Sequence, residues 1–72
     1  MILVIETLEG IVNYINLDCV GSIAVLPDNK EVAFTFDDLY QQLDFTVGYD
    51  ESDITEETYN YIVAKLNQWV GV

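Results

Sequence analysis

One cysteine and no histidine in seventy-two residues limit how this chain can be held together. An internal disulfide needs two thiols, and the commonest zinc ligand is missing, so neither staple is open to it. A chain of this length buries only about 60% of the surface its unfolded form exposes. A single core of that size yields roughly 3–5 kcal/mol of net stability. Oligomerisation is the remaining support. The apolar content, 51%, is more than so small an interior needs, which predicts an exposed apolar patch covered by a second subunit or a partner. We therefore expect a homodimer or larger assembly, with Ile2, Val4 and Trp69 as the candidate self-association residues. Cys19 has no cation before Lys30 to favour a thiolate and is expected to be a reduced, small core residue.

The apolar pattern is that of a small α+β domain spanning residues 1–72. The stretch Ile2–Glu6 opens with four successive apolar residues, is too short for a helix, and fits a strand covered on both faces, either central or at a subunit interface. Leu8-Glu9-Gly10 reads as a turn. Beyond it Ile11, Asn13, Ile15 and Leu17 point one way and Val12 and Tyr14 the other. A bend over 16–21 leads to a third strand near 22–26. Pro27-Asp28-Asn29-Lys30 is the clearest turn, since proline presets φ at its first corner and Asp and Asn tolerate the unusual angles that follow. The fourth strand, 31–36, sets Val32, Phe34 and Phe36 on one face. Asp37-Asp38 turns the chain again into a fifth strand with Leu39, Leu43, Phe45 and Val47 on its dry face. Its wet face carries Tyr40, Gln42, Asp44 and Thr46.

Thr55 then reads as the N-cap of a helix, with Glu56 and Glu57 beside the positive end of its dipole and Ile54 placed to staple onto Tyr59. Tyr59, Ile62, Val63, Leu66, Trp69 and Val70 recur at helical spacing, so one stripe faces the sheet and Gly71 ends the helix. The expected architecture is a five-stranded antiparallel β-meander packed against one C-terminal α-helix.

Charge narrows the function. Thirteen Asp and Glu residues oppose two lysines, for a net charge of -11. Nucleic-acid binding rests on cations that neutralise phosphates, and an anionic membrane would repel the chain as well, so neither partner is expected. The first apolar run is four residues long with no preceding cation, which predicts neither a secretory signal nor a membrane span, and a cytoplasmic protein.

No catalytic pattern emerges. A chain without histidine lacks the usual general base, and Asp37-Asp38, the pair nearest to acid and base work, belongs to a domain with little room for a substrate cleft. The stretch Asp44–Glu57 holds six carboxylates and no cation in fourteen residues, but it fails as a calcium loop. Counted from Asp50, the EF-hand pattern would need an oxygen ligand, Gly and Glu where Ile54, Thr55 and Tyr61 stand. No metal, cofactor or phosphate-binding glycine loop is expected.

What remains is a binding surface. Between Glu31 and Ala64 there are nine acidic residues and no basic one, whereas a surface built only for solubility intersperses both signs. Such self-repulsion costs a marginal domain stability. Tyr40 near Asp38 and Tyr49 beside Asp50 add exposed rings to the charge, while Tyr14 and Tyr59 are expected in or at the edge of the core and Tyr61 partly exposed. The expected partner-binding set is Asp37, Asp38, Tyr40, Asp44, Tyr49, Asp50, Glu51, Asp53, Glu56 and Glu57. The partner it suits is a protein with a basic surface, of the kind found on complexes that handle nucleic acid. By analogy of size and charge alone, with no family motif, the expected action is inhibition of the kind used by small phage proteins that disarm restriction or other host defences, some by mimicking DNA. The competing expectation is a self-assembling module whose acids only keep it in solution.

Overall fold

The computed structural model describes residues 1–36 and 41–70. Strand β1 (Ile2–Glu6) reverses through Leu8–Gly10 into β2 (Val12–Asn16). Gly10 makes the reversal possible by taking a φ of 91°, a conformation open to glycine because it lacks a Cβ. Its N–H donates to Thr7 O at 2.9 Å, and Thr7 N–H donates to Ile11 O at 2.9 Å. A 3-10 turn, Leu17–Cys19, separates β2 from β3 (Val20–Leu26), after which come β4 (Glu31–Phe36), β5 (Gln41–Thr46) and the helix α1 (Glu56–Val70).

The domain is α+β, with five antiparallel strands and one C-terminal helix. Its strands divide into a two-stranded sheet, β1-β2, and a three-stranded one, β3-β4-β5. The 3-10 turn redirects the chain at the division, with Asn16 Oδ1 accepting from Asp18 N–H at 3.1 Å and Leu17 sunk into the core. Between β3 and β4 the chain turns as expected over 27–30. The residue with left-handed backbone is Lys30, at φ 50°, and not Asp28 or Asn29.

Alternation decides what each strand buries. Leu3 and Ile5 of β1, Ile15 of β2, Val32 and Phe34 of β4 and Phe45 of β5 all face inward. They meet Leu17, Ile54 and the helical stripe Tyr59, Ile62 and Leu66 in one cluster. The Phe45 ring meets Phe34 edge-on, with centroids 6.0 Å apart at 72°, the orientation in which ring edge and ring face attract. Helix α1 lies against β1.

Three expectations need correction. β1 is not a central strand, because among the described residues it pairs only with β2; Ile2 and Val4 on its outer face are exposed in the single chain, and four successive apolar residues hide an alternation that only the register makes visible. Tyr14 is not core, since it stands on the outer face of β2 at 71% exposure. Cys19 is exposed at the end of the 3-10 turn rather than buried. The Asp37-Asp38 turn, Leu39, Tyr40 and Gly71 lie outside the described residues.

The helix begins as its sequence signals predict. Thr55 Oγ1 accepts from Thr58 N–H at 3.1 Å, and Ile54 and Tyr59 are both buried in the core cluster. Thr55→Ala should cost about 1 kcal/mol, the usual loss at an N-cap. In a domain this small that lowers Tm by about 4–8 °C, which a thermal melt followed by circular dichroism will read.

Candidate functional site

β5 delivers the chain to the acidic loop. Val47 N–H donates to Lys30 O at 3.1 Å, Ile54 N–H to Thr46 O at 3.0 Å and Gly48 N–H to Ile54 O at 3.4 Å. The loop Gly48–Asp53 thus leaves and re-enters the fold at neighbouring points, where Val47 and Ile54 form a parallel bridge. Inside it Asp53 N–H donates to Asp50 O at 3.0 Å, and Asp50 N–H donates back to the Asp53 carboxylate at 2.9 Å. Gly48 is required by this arrangement, because a Cβ there would overlap the Asp53 carboxylate. Gly48→Ala should push that flexible carboxylate aside and break its bond to the Asp50 amide, at a cost of about 0.5–1.5 kcal/mol, the net worth of one hydrogen bond. Hydrogen exchange will show it, with the Asp50 amide losing protection while amides of β4 keep theirs.

A second element secures the loop from outside. The tip of the β1–β2 hairpin docks on it, with Leu8 N–H donating to Asp53 O at 2.9 Å and Glu9 N–H to Glu51 O at 3.1 Å. Glu9 therefore joins the acidic group, a residue that sequence reasoning missed. These contacts run through backbone carbonyls of residues more than forty positions away in the chain, so no side-chain pattern signals them.

Of the expected partner-binding residues, the structure brings Tyr49, Asp50, Glu51 and Asp53 into this one loop. Glu56 and Glu57 follow directly in the first turn of α1. Tyr49 is fully exposed and packs on nothing, while Asp53 is half-buried by its role in the loop. Asp44 stands apart on β5, where its carboxylate accepts from Gln42 Nε2 at 2.9 Å. Asp37, Asp38 and Tyr40 lie outside the described residues. Of the expected self-association residues, Ile2 and Val4 share the outer face of β1 and Trp69 is partly exposed near the end of α1.

Of the chain's two lysines, one pairs with a carboxylate of the expected binding set and the other lies beside a tyrosine ring. Lys30 forms an ion pair with Glu56, a contact between two half-exposed side chains that contributes no more than about 1 kcal/mol. Lys65 Nζ lies 5.7 Å from the centroid of the Tyr61 ring, within reach of a cation–π attraction. The N-terminal ammonium is 3.7 Å from the Asp18 carboxylate. Among the described residues no cation therefore contacts Glu9, Asp50, Glu51 or Asp53.

The described residues enclose no cavity and bring no three of their acidic or cysteine side chains together in a metal-binding arrangement. No helix among them is long and apolar enough to cross a membrane. The acidic loop fixes its backbone and one carboxylate, Asp53, and leaves Asp50 and Glu51 exposed on an open surface. Comparison of the chain with family models, with curated proteins and with solved structures gives no match.

Proposed function

We propose that this protein is a small acidic, non-enzymatic binding module that occupies a basic surface of another protein, and that the Gly48–Asp53 loop with Glu9 is the centre of its contact. One observation carries the reading. Glu9, Asp50, Glu51 and Asp53 are brought together by backbone bonds, only Asp53 among them has its carboxylate bonded to an N–H, and among the described residues no cation pairs with any of the four. Anions kept close without compensation repel one another, and a cationic partner turns that repulsion into attraction and speeds encounter. Tyr49, projecting bare from the same loop, supplies an amphipathic ring of the sort that anchors protein contacts.

Basic surfaces of matching extent belong largely to complexes that process nucleic acid. Occupying one would inhibit such a complex, either by imitating a phosphate array or by blocking an assembly surface. That is the action of a phage-type anti-restriction or anti-defence protein working in the host cytoplasm. The experiment is affinity capture on the tagged protein from host lysate, eluted by raising salt from about 0.1 M to about 1 M, which shortens the Debye length from about 10 Å to about 3 Å. A basic protein retained at the lower salt, released at the higher, and competed away by duplex DNA supports phosphate mimicry. Release by salt without competition supports blockade of an assembly surface. Retention of no basic protein at low salt sinks both.

A self-assembling module with merely solubilising acids is the second reading. The exposed apolar residues on the outer face of the β1–β2 hairpin favour it. Light scattering separates the two, because a ring or large particle belongs to the assembly reading and a dimer is compatible with an inhibitor.

A further inference from the structure

An open sheet edge is an invitation to pair, and stable proteins blunt their edges with charge, bulges, proline or a covering element. Among the described residues the two sheets have four edges. The β1 edge carries the charged Glu6, and α1 packs against this strand. The β3 edge is broken by a bulge between Val20 and Ser22 and ends at Pro27. The β5 edge carries Asp44, and its last carbonyl, Thr46 O, already accepts from Ile54 N–H.

β2 alone has none of these devices. The stretch Ile11–Leu17 reads IVNYINL, without a charge or a proline in a chain of net charge -11. Its hydrogen bonding also faces the right way. Met1 O accepts from Leu17 N–H and Ile11 O from Thr7 N–H, so the odd-numbered residues of the hairpin form the bonded pairs in the register Ile2↔Asn16 to Glu6↔Val12. Alternation in an antiparallel ladder then turns the N–H and C=O groups of Val12, Tyr14 and Asn16 outward, away from β1. All three residues are exposed, and among the described residues no backbone group bonds to them from outside the hairpin.

We propose that β2 pairs antiparallel with β2 of a second copy about a two-fold axis at Tyr14, joining two hairpins into one four-stranded sheet, β1-β2-β2-β1. Charge selects the second copy as occupant. Two chains of this net charge repel almost everywhere, and this neutral edge is where they can meet without setting carboxylates against each other. The register is self-complementary, with Tyr14 opposite its own symmetry mate and Val12 opposite Asn16, so no charge is paired with its like. A third and fourth strand also support a ribbon that two strands leave marginal. The antiparallel pairing sends the two hairpin tips, and the acidic loops docked on them, to opposite ends of the dimer. The inference does not depend on what the acidic loop binds.

The test is light scattering over a dilution series, with hydrogen exchange on the same samples. The wild-type chain should be dimeric, and the amides of Val12, Tyr14 and Asn16 should lose protection on dilution while those of Asn13 and Ile15 keep it. Tyr14→Pro removes an N–H that takes no part in the β1–β2 ladder, so this variant should keep its circular dichroism spectrum and be monomeric. Val4→Glu charges the outer face of the ribbon beside its cross-strand partner Tyr14 but leaves the outward backbone groups of β2 in place, so edge pairing should survive it. A wild-type monomer at every concentration overturns the proposal, as does a dimer that survives Tyr14→Pro. A dimer lost in Val4→Glu but kept in Tyr14→Pro would show the ribbon faces packing together and would overturn it equally. If Tyr14→Pro fails to fold, exchange at the three outward amides of the wild-type chain still decides, since unprotected amides in a dimer refute edge pairing.

Discussion

Phe34→Ala is expected to leave no cooperative unfolding transition at room temperature. Phe34 is fully buried on the central strand of the three-stranded sheet, where it meets Phe45 edge-on. Truncating a buried phenylalanine costs about 3–5 kcal/mol, combining lost transfer energy with the cavity left behind. A core of this size supplies about 3–5 kcal/mol in all, so the two magnitudes are equal and the fold has no reserve. Collapse around the cavity is hard, because strand register holds Ile23 of β3 and Leu43 of β5 on either side of Phe34. The check is a thermal melt beside Tyr49→Ala, whose ring packs on nothing and whose loss should stay within about 0.5 kcal/mol. A Phe34→Ala melt within a few degrees of wild type would mean that the stability resides elsewhere, with a subunit interface the first place to look.

The elements were legible where a single physical signal spoke without competition. In β4 and β5 the large apolar residues recur at every second position, which sets Val32 and Phe34 on one face of their strand and Leu43 and Phe45 on one face of theirs, although Ala33 on the other face of β4 is buried as well. Pro27 announced a hairpin, and Thr55 with two glutamates after it announced a helix start. Runs without contrast were misleading. Ile2–Ile5 has no polar residue to mark the wet face, and an aromatic at position 14 looked like core although its parity already placed it opposite Ile15. The break into two sheets depends on Leu17, whose burial in a 3-10 turn is a tertiary outcome that local spacing does not encode. Half of the candidate site was visible as a density of carboxylates. The docking of Glu9 on Glu51 depends on a backbone bond between distant segments, which has no side-chain signature.

Neutralising the loop with Asp50→Asn, Glu51→Gln and Asp53→Asn should weaken partner binding by about 10- to 100-fold, since tenfold corresponds to about 1.4 kcal/mol and charges at a contact rim each contribute a fraction of that. The fold should tolerate the change. Asparagine at 53 keeps an oxygen able to accept from the Asp50 amide, and the bonds from Leu8 and Glu9 go to backbone carbonyls that no side chain alters. Removing like charges from one place should hold Tm level or raise it, because self-repulsion falls. Loss of binding with Tm retained would therefore be electrostatic and not structural. Surface-charge contacts act mainly on encounter, so the loss should lie in the association rate and fade as salt rises toward about 1 M, where the Debye length is about 3 Å. Binding of unchanged rate and salt dependence in the triple variant would strip the loop of its role and leave its carboxylates as hydration alone.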